Sequence, residues 1–222
     1  MAAGAIAKKI LLEKGIVTTG YVKQIGNIKA ENLDFKEIEN NAVRCPDKEK
    51  AEQMFELIDQ VRKEGDSIGG VVEVVTSGLP AGLGDPVFNK LDADLASALM
   101  SLGGIRGFEA GMGFGVAEKK GSEANDLMYK KDDGTLGFKT NNAGGMLGGI
   151  SNGEDLVVRI AIKPTSSISK LQKTVDKDGN PKDLRVKGRH DPCLCPRAVP
   201  IAEAMVNLVI IDHLFISQAN KI

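Results

Sequence analysis

Glycine is the feature that most constrains how this chain can fold. It occupies 26 of 222 positions, well above the roughly 7% that is typical of proteins. Five glycines lie within residues 141–153, NNAGGMLGGISNG. Because a glycine inside regular structure costs about 0.5–1 kcal/mol relative to alanine, this cluster predicts one of two arrangements. The segment forms two tight turns, or its main chain lies where a flat ring or a phosphate approaches closely. The spacing differs from the GxGxxG fingerprint of dinucleotide-binding folds.

Charge and composition exclude several classes of protein. Lys and Arg number 29, Asp and Glu number 30, and the formal net charge is -1. This balance argues against a nucleic-acid-binding protein and against a polybasic membrane-surface protein. No apolar run approaches the roughly 18 residues that a membrane-spanning helix needs. The three cysteines do not form a disulfide framework in a chain of this length, and structural zinc needs four ligands. We therefore expect a cytoplasmic globular protein with reduced thiols, no metal, and neither a nucleic-acid nor a membrane partner.

The hydrophobic pattern predicts a mixture of helices and strands without a regular βαβ alternation. We therefore expect one α+β domain over residues 1–222, in which helices are layered on a sheet. Two charged, turn-rich segments, at about 118–138 and 170–186, are expected to be exposed excursions. The predicted helices are 2–14, 49–63, 86–102 and 201–215, and the predicted strands are 16–25, 71–76, 105–116 and 156–163.

Two short segments carry side chains suited to anions. Lys163–Ser167 (KPTSS) directly follows a predicted strand and offers one cation and three hydroxyls, although a polar strand exit has the same composition. Arg189 and Asp191 should share one face of an extended stretch, since Asp191 precedes a proline. The Arg189 guanidinium suits phosphate or carboxylate and would lower the pKa of Asp191, although a structural salt bridge remains the alternative. Together these segments predict a pocket for a phosphorylated ligand.

The two histidines are not expected to act in this pocket. His190 should face away from Arg189 and Asp191, because neighbouring residues in an extended stretch point in opposite directions. His213 lies in a predicted helix that is apolar nearly all round, so we expect a buried histidine whose hydrogen bonds are satisfied in the core.

Long stretches of this sequence closely resemble chorismate synthase, over essentially the whole chain. The longest is GRHDPCLCPRAVPIAEAM, in which Arg189, Asp191, Pro192, Cys193 and Glu203 keep the family's order. The other matching stretches are KEGDSIGG (63–70), SGLPAGLGDPVF (77–88), LDADLASALMS (91–101), TNNAGGMLGGISNG (140–153) and KPTSSI (163–168).

The resemblance implies a fold, a reaction and a set of site residues. It implies the layered α+β sandwich of that family and a lyase that converts 5-enolpyruvylshikimate 3-phosphate to chorismate and phosphate with reduced FMN. It also implies a homotetramer in the shikimate pathway, and leaves open whether an NADP-linked flavin reductase activity accompanies it. Asp191 is implied to assist proton transfer. The implied FMN contacts are Gly103, Gly104, Gly148, Lys163, Pro164, Thr165, Ser166, Ser167 and Arg189; around Gly103, the chain has SLGGIRG where the family usually has Ala-Val-Lys-Gly.

The first residues of this chain, Ala-Ala-Gly-Ala at 2–5, match the end of the family's Ser-Ala-Arg segment. The family's upstream stretch carries two catalytic histidines and an arginine-rich substrate clamp, and neither His190 nor His213 matches those histidines. The sequence thus leads us to expect an N-terminally truncated, inactive fragment of the lyase. A non-catalytic module that binds FMN or phosphate, or a purely structural α+β protein, are the alternatives.

Overall fold

The computed structural model describes residues 1–132 and 134–219 and contains the expected mixture of helices and strands. The helices are α1 (Ala2–Glu13), α2 (Lys48–Lys63), α3 (Leu91–Met100), α4 (Gly121–Ala124) and α5 (Cys195–Ala219), with 3-10 helices at Phe35–Asn40 and Gly113–Glu118. The strands are β1 (Val17–Ile25), β2 (Ile28–Lys29), β3 (Gly70–Ser77), β4 (Ile105–Ala110), β5 (Met128–Lys130), β6 (Leu136–Phe138), β7 (Met146–Leu147), β8 (Ile150–Ser151), β9 (Leu156–Ile162), β10 (Gln172–Val175) and β11 (Pro181–Leu184). The α+β class is confirmed.

The main sheet has five strands in the order β2-β1-β3-β9-β4. β1 and β2 are antiparallel, with Gln24 opposite Lys29. Three two-stranded sheets accompany it, formed by β5 with β6, β7 with β8, and β10 with β11. The chain divides into two compact units, and a single domain over 1–222 stays a prediction. Unit 1 comprises Met1–Gly20, Val72–Ile160 and Val199–Ile222, and unit 2 comprises Tyr21–Val71 and Ala161–Ala198.

In unit 1, α1 and α5 approach closely because their contact residues are small. A Cβ atom built on Gly4 would lie 2.4 Å from the Cβ atom of Ala204, so only glycine fits there. The Glu203 carboxylate accepts hydrogen bonds from the Gly20 N–H at 2.7 Å and from Lys8 Nζ at 3.0 Å. One side chain of α5 thereby holds both α1 and the first residues of β1.

In unit 2, Asp47 determines where α2 begins. Its buried carboxylate accepts hydrogen bonds from the backbone N–H groups of Glu31, Asn32 and Lys50. Burial alone would raise the pKa of Asp47, but these three hydrogen bonds outweigh burial and lower it. The carboxylate therefore caps the helix in its charged form and also fixes the loop that follows β2.

Three predicted element bounds are wrong. The helix expected at 86–102 begins only at Leu91, because paired backbone hydrogen bonds between Asp85 and Asn89 place residues 86–88 in a turn. The strand expected at 105–116 ends at Ala110, where the positive φ of Gly111 turns the chain. The helix expected at 201–215 extends over Cys195–Ala219, with Pro196 in its first turn, where proline is tolerated, and Pro200 inside the helix.

The same helix, α5, is less deeply buried than its apolar composition predicts. Phe215 is 50% exposed and Ile216 is 38% exposed. Among the described residues, α5 is long and apolar enough to cross a membrane, but half of that segment is buried. A core helix of a water-soluble protein passes the same test, so this finding is weak support for a membrane span.

Candidate functional site

In unit 2, the predicted phosphate-binding turn starts where β9 ends. Lys163 follows the last strand residue, Ile162, and its Nζ donates a hydrogen bond to Ser166 Oγ at 2.7 Å. Ser166 and Ser167 are exposed. The turn therefore presents a cation and neighbouring hydroxyl groups to solvent, a set of donors suited to phosphate oxygens.

Two neighbouring segments hold this turn in place. The Thr165 hydroxyl donates to the Asp191 carbonyl at 3.0 Å, and the Ser67 hydroxyl donates to the Thr165 carbonyl at 2.6 Å. Gly69 is necessary beside Pro164, because a Cβ atom at Gly69 would lie 2.4 Å from the Ile162 carbonyl oxygen. The structure thus brings the Lys163–Ser167 turn and Asp191 together, as the sequence predicts.

The partner of Asp191 differs from the prediction. Its Oδ2 forms an ion pair with Arg197 Nη1 at 2.8 Å, in place of the expected pairing with Arg189. The reason is that α5 begins at Cys195, so Arg197 lies in the first helical turn and reaches back to Asp191. Within the described residues, no group donates a hydrogen bond to Asp191 Oδ1.

Arg189 and His190, the two residues before Asp191, differ in exposure. Arg189 is exposed and forms no ion pair among residues 1–132 and 134–219, so its planar set of N–H donors remains available. His190 is half-buried, and its Nε2 atom is buried without a hydrogen-bond partner in the part of the chain that the structure describes. These observations favour Arg189 as the anion-binding residue.

The thiols beyond Asp191 interact with each other, and a hydrogen bond from Cys195 lowers the pKa of Cys193. Cys193 and Cys195 are free and buried. The neighbouring Cys193 thiol and burial together raise the pKa of Cys195, which keeps that thiol protonated. Among the described residues, no group of three or more His, Cys, Asp or Glu side chains is arranged to hold a metal ion.

In unit 1, the glycine-rich segment forms a short hairpin of β7 and β8, and the prediction of tight turns is confirmed. Gly148 and Gly149 lie at its tip with φ of 62° and 84°. A Cβ atom on Gly148 would meet nothing within 4 Å, whereas a Cβ atom on Gly144 would lie 2.3 Å from the Gly111 backbone nitrogen. Gly148 is therefore accessible from outside, while Gly144 is required by close packing of the main chain.

The carboxylate of Asp126 fixes the start of the glycine-rich segment. It accepts hydrogen bonds from the Asn142 and Ala143 N–H groups at 2.7 and 2.8 Å and from the Thr140 hydroxyl at 2.6 Å. Burial alone would raise the pKa of Asp126, but these hydrogen bonds lower it. Asp126 thus ties the excursion at 118–138 to the glycine-rich segment.

The remaining predicted residues lie between α3 and β4. Gly103 is exposed with open space at its Cβ position, and Gly104 has a φ of 91°. Gly103, Gly104 and Gly148 belong to unit 1, whereas Lys163–Ser167, Arg189 and Asp191 belong to unit 2. A single pocket that contains all of them stays a prediction.

Two cavities are lined by residues that the sequence does not predict as site residues. In unit 1, a cavity of about 620 Å³ lies along α3 and α5 and includes Asp94 and His213. His213 is buried, and its Nε2 lies 2.8 Å from Asp94 Oδ2, so the expected core histidine is confirmed. In unit 2, a cavity of about 400 Å³ lies beside α2 and includes Phe55.

Sequence reasoning missed three residues that contact the Lys163–Ser167 turn or Asp191. Ser67 and Gly69 hold Thr165 and Pro164, and Arg197 holds Asp191. All three lie inside stretches that match chorismate synthase, KEGDSIGG and GRHDPCLCPRAVPIAEAM. The run Ser-Ile-Gly-Gly in the first stretch was a usable signal, because small residues allow a close approach of another segment.

Comparison with known proteins identifies the family. The family model described as chorismate synthase matches residues 1–215. The chain belongs to the chorismate synthase family. It is 53% identical over 214 residues to the chorismate synthase of Chloroflexus aurantiacus, a match that covers 96% of this chain and 59% of that protein. It is 52% identical over 224 residues to the chorismate synthase of Synechococcus elongatus, covering 99% of this chain and 62% of that protein.

A solved structure supports the same assignment. A crystal structure of chorismate synthase superposes with a TM-score of 0.81 at 30% sequence identity, covering 97% of this chain and 62% of that one. The predicted sandwich of the chorismate synthase type is therefore confirmed. The chain spans about three fifths of the length of the curated chorismate synthases that it matches.

Proposed function

We propose that this chain takes part in the elimination of phosphate from 5-enolpyruvylshikimate 3-phosphate to give chorismate, with reduced FMN as cofactor. One observation carries the proposal. In a chain that belongs to the chorismate synthase family, the Lys163–Ser167 turn is hydrogen-bonded to the Asp191 segment, next to an exposed Arg189 with no ion pair among the described residues. The Lys163 ammonium, the Ser166 and Ser167 hydroxyls and the Arg189 guanidinium are the donors that a phosphate group requires.

The donor set fits the phosphate tail of FMN. Lys163 Nζ already lies 2.7 Å from Ser166 Oγ, so a phosphate oxygen beside them would receive both donors with little rearrangement. Thr165 and Pro164 would shape the turn from beneath. A Cβ atom at Gly148 or Gly103 would meet no other atom within 4 Å. The flat ring of FMN could therefore approach the main chain at either glycine. When bound, reduced FMN supplies electron density to the substrate as its phosphate leaves.

Asp191 is the residue that we propose for proton transfer. Arg197 holds one carboxylate oxygen at 2.8 Å, and Thr165 fixes the backbone carbonyl of the same residue at 3.0 Å. The other oxygen, Oδ1, is then oriented and remains able to accept or hold a proton.

The remaining features of the function follow from the family. We propose that the protein acts in the cytoplasm, as part of a homo-oligomer with four subunits. The substrate is a small phosphorylated molecule, and nothing in the charge balance of -1 favours nucleic acid as a partner. NADP-linked reduction of the flavin belongs to the same proposal.

Two measurements on the whole chain test the proposal. FMN is titrated under reducing conditions and followed by flavin fluorescence, and phosphate release from 5-enolpyruvylshikimate 3-phosphate is then measured with saturating reduced FMN. Saturable FMN binding followed by phosphate release supports the lyase. FMN binding without phosphate release supports a non-catalytic FMN-binding module. Absence of FMN binding overturns both and leaves the glycine-rich turns with a structural role only.

A further inference from the structure

Within unit 2, a charged segment begins and ends near the proposed phosphate site. Residues 171–189, which we call the cationic arm, contain β10, β11 and the chain that leads to Arg189. The arm carries three aspartates and six basic residues, Lys173, Lys177, Lys182, Arg185, Lys187 and Arg189. Since the whole chain has a formal net charge of -1, the surplus of +3 on the arm leaves -4 on the remaining residues. The positive charge is thus concentrated in one short segment.

Both ends of the arm are fixed in unit 2. At the outgoing end, Lys170 Nζ pairs with Asp66 Oδ2 at 3.0 Å, and the Lys170 N–H donates to the Gly65 carbonyl at 3.0 Å. At the returning end, the Thr165 hydroxyl donates to the Asp191 carbonyl, and the Ile68 N–H donates to the Pro192 carbonyl. Because Thr165 belongs to the Lys163–Ser167 turn, the returning end of the arm is hydrogen-bonded to that turn.

Between these ends the arm is exposed. All the residues of β10 and β11 except Gln172 are exposed, and the two strands pair only with each other, with Lys173 opposite Asp183. No basic side chain of the arm forms an ion pair with any other residue among 1–132 and 134–219. Asp176 accepts the Asp178 and Asn180 N–H groups, so one of the three negative charges is used within the turn. The lysines are therefore exposed and form no ion pair within the described residues, and the three aspartates leave the arm a net charge of +3.

We propose that the cationic arm attracts phosphorylated ligands, FMN foremost, toward the Lys163–Ser167 turn and so raises their association rate. A phosphate monoester carries about -1.5 to -2 charges at pH 7. A strand of four residues with its turn extends about 15 Å, which exceeds the Debye length of about 8–10 Å in physiological salt. The arm thus places positive charge farther into solvent than the turn itself can. This inference rests on the proposed function, because it assumes that the turn binds the FMN phosphate.

The test compares two triple variants of the whole chain. Lys177→Gln, Lys182→Gln and Lys187→Gln together remove three charges from the arm. The matched control, Lys29→Gln, Lys36→Gln and Lys48→Gln, removes three charges from exposed lysines elsewhere in unit 2. Stopped-flow flavin fluorescence gives the association and dissociation rate constants for FMN as a function of salt concentration. Circular dichroism and thermal unfolding establish that both variants are folded.

We expect the arm variant to bind FMN about 3- to 10-fold more slowly than wild type at low ionic strength, with a flatter salt dependence. Its dissociation rate constant should change less than about twofold, and the control should match wild type. Riboflavin has the same ring without the phosphate, so its association rate should not respond to the arm. An arm variant with wild-type FMN kinetics, or equal slowing of riboflavin, overturns this inference. A wild-type chain that binds no FMN overturns the proposed function itself.

Discussion

The glycine-rich segment of unit 1 and the Lys163–Ser167 turn of unit 2 use their hydrogen-bond donors in opposite ways. In residues 141–145, the backbone N–H groups of Asn142, Ala143, Gly144 and Gly145 all donate within the protein. In residues 163–167, the Lys163 ammonium and the two serine hydroxyls face solvent or one another. Composition alone left open whether the glycine-rich segment forms tight turns or is approached by a ligand, and it offered anion binding or a polar strand exit for residues 163–167. The difference teaches that donors already used internally build a scaffold, and we propose that the donors still accessible form the binding surface.

We expect the largest effect when alanine replaces a closely packed glycine, Gly144, and a much smaller one when it replaces an accessible glycine, Gly148. At Gly144 the φ is 68° and a Cβ atom would lie 2.3 Å from a backbone nitrogen that cannot move independently. We expect Gly144→Ala to lower the free energy of unfolding by about 3 kcal/mol or more. The alanine side chain of Gly148→Ala meets open space. This substitution should therefore lower the free energy of unfolding only by the cost of the left-handed conformation, about 1 kcal/mol. Urea unfolding measures both, and equal losses would contradict the distinction.

The second prediction concerns a residue that we expect to affect FMN binding but not the free energy of unfolding. Arg189→Ala removes an exposed guanidinium that has no ion pair among the described residues, so the free energy of unfolding should change by less than about 0.5 kcal/mol. FMN affinity should fall about 30-fold, since a hydrogen bond to a charged group contributes about 1.5–3 kcal/mol. Fluorescence titration of FMN measures the affinity. Lys36→Ala, which removes an exposed cation of unit 2 outside the cationic arm, is the control for loss of one charge. If the two variants lose the same affinity, Arg189 has no specific role.

The sequence predicted the elements better than it predicted contacts between them. Hydrophobic periodicity found α1, α2, β3 and β9, because each buries one regular face or a continuous apolar run. It failed at 86–90 and 111–116, where backbone pairing of Asp85 with Asn89 and the conformation of Gly111 end the regular structure. Arg197 was missed as the partner of Asp191 because the start of α5, which brings it within 2.8 Å, depends on packing in three dimensions. The chemistry of the residues pointed to Lys163–Ser167, Arg189 and Asp191, and the resemblance added Gly103 and Gly104; as site residues all of these stay predictions.

The third prediction tests whether the scaffold around the glycine-rich segment depends on a charge. The pKa of Asp126 is lower in the folded chain than its ordinary value, because burial raises it less than the Thr140, Ala143 and Asn142 hydrogen bonds lower it. The ionised carboxylate therefore stabilises the fold above about pH 4, and this contribution is lost as the pH falls through the folded pKa. Asp126→Asn should cost about 1–2 kcal/mol at pH 7 and progressively less below pH 4. Urea unfolding at several pH values gives the difference, and a cost that does not change with pH would contradict the role of the charge.

The smallest expected effect on stability is at Asp191, and it separates the two regions most sharply. The ion pair with Arg197 is partly exposed, with side chains 28% and 60% accessible, and such pairs contribute about 0–1 kcal/mol. Asp191→Asn retains the shape of the side chain and an oxygen for Arg197, so the free energy of unfolding should change by less than about 0.5 kcal/mol.

FMN affinity should also change little in Asp191→Asn, because the proposed phosphate donors do not include Asp191. Phosphate release by any assembly of this chain that turns over should fall at least about 100-fold, since an amide cannot accept the proton that a carboxylate accepts. If Asp191→Asn destabilises the chain as much as Asp126→Asn does at pH 7, the Asp191 carboxylate belongs to the scaffold, and the contrast between the two regions fails at its most important residue.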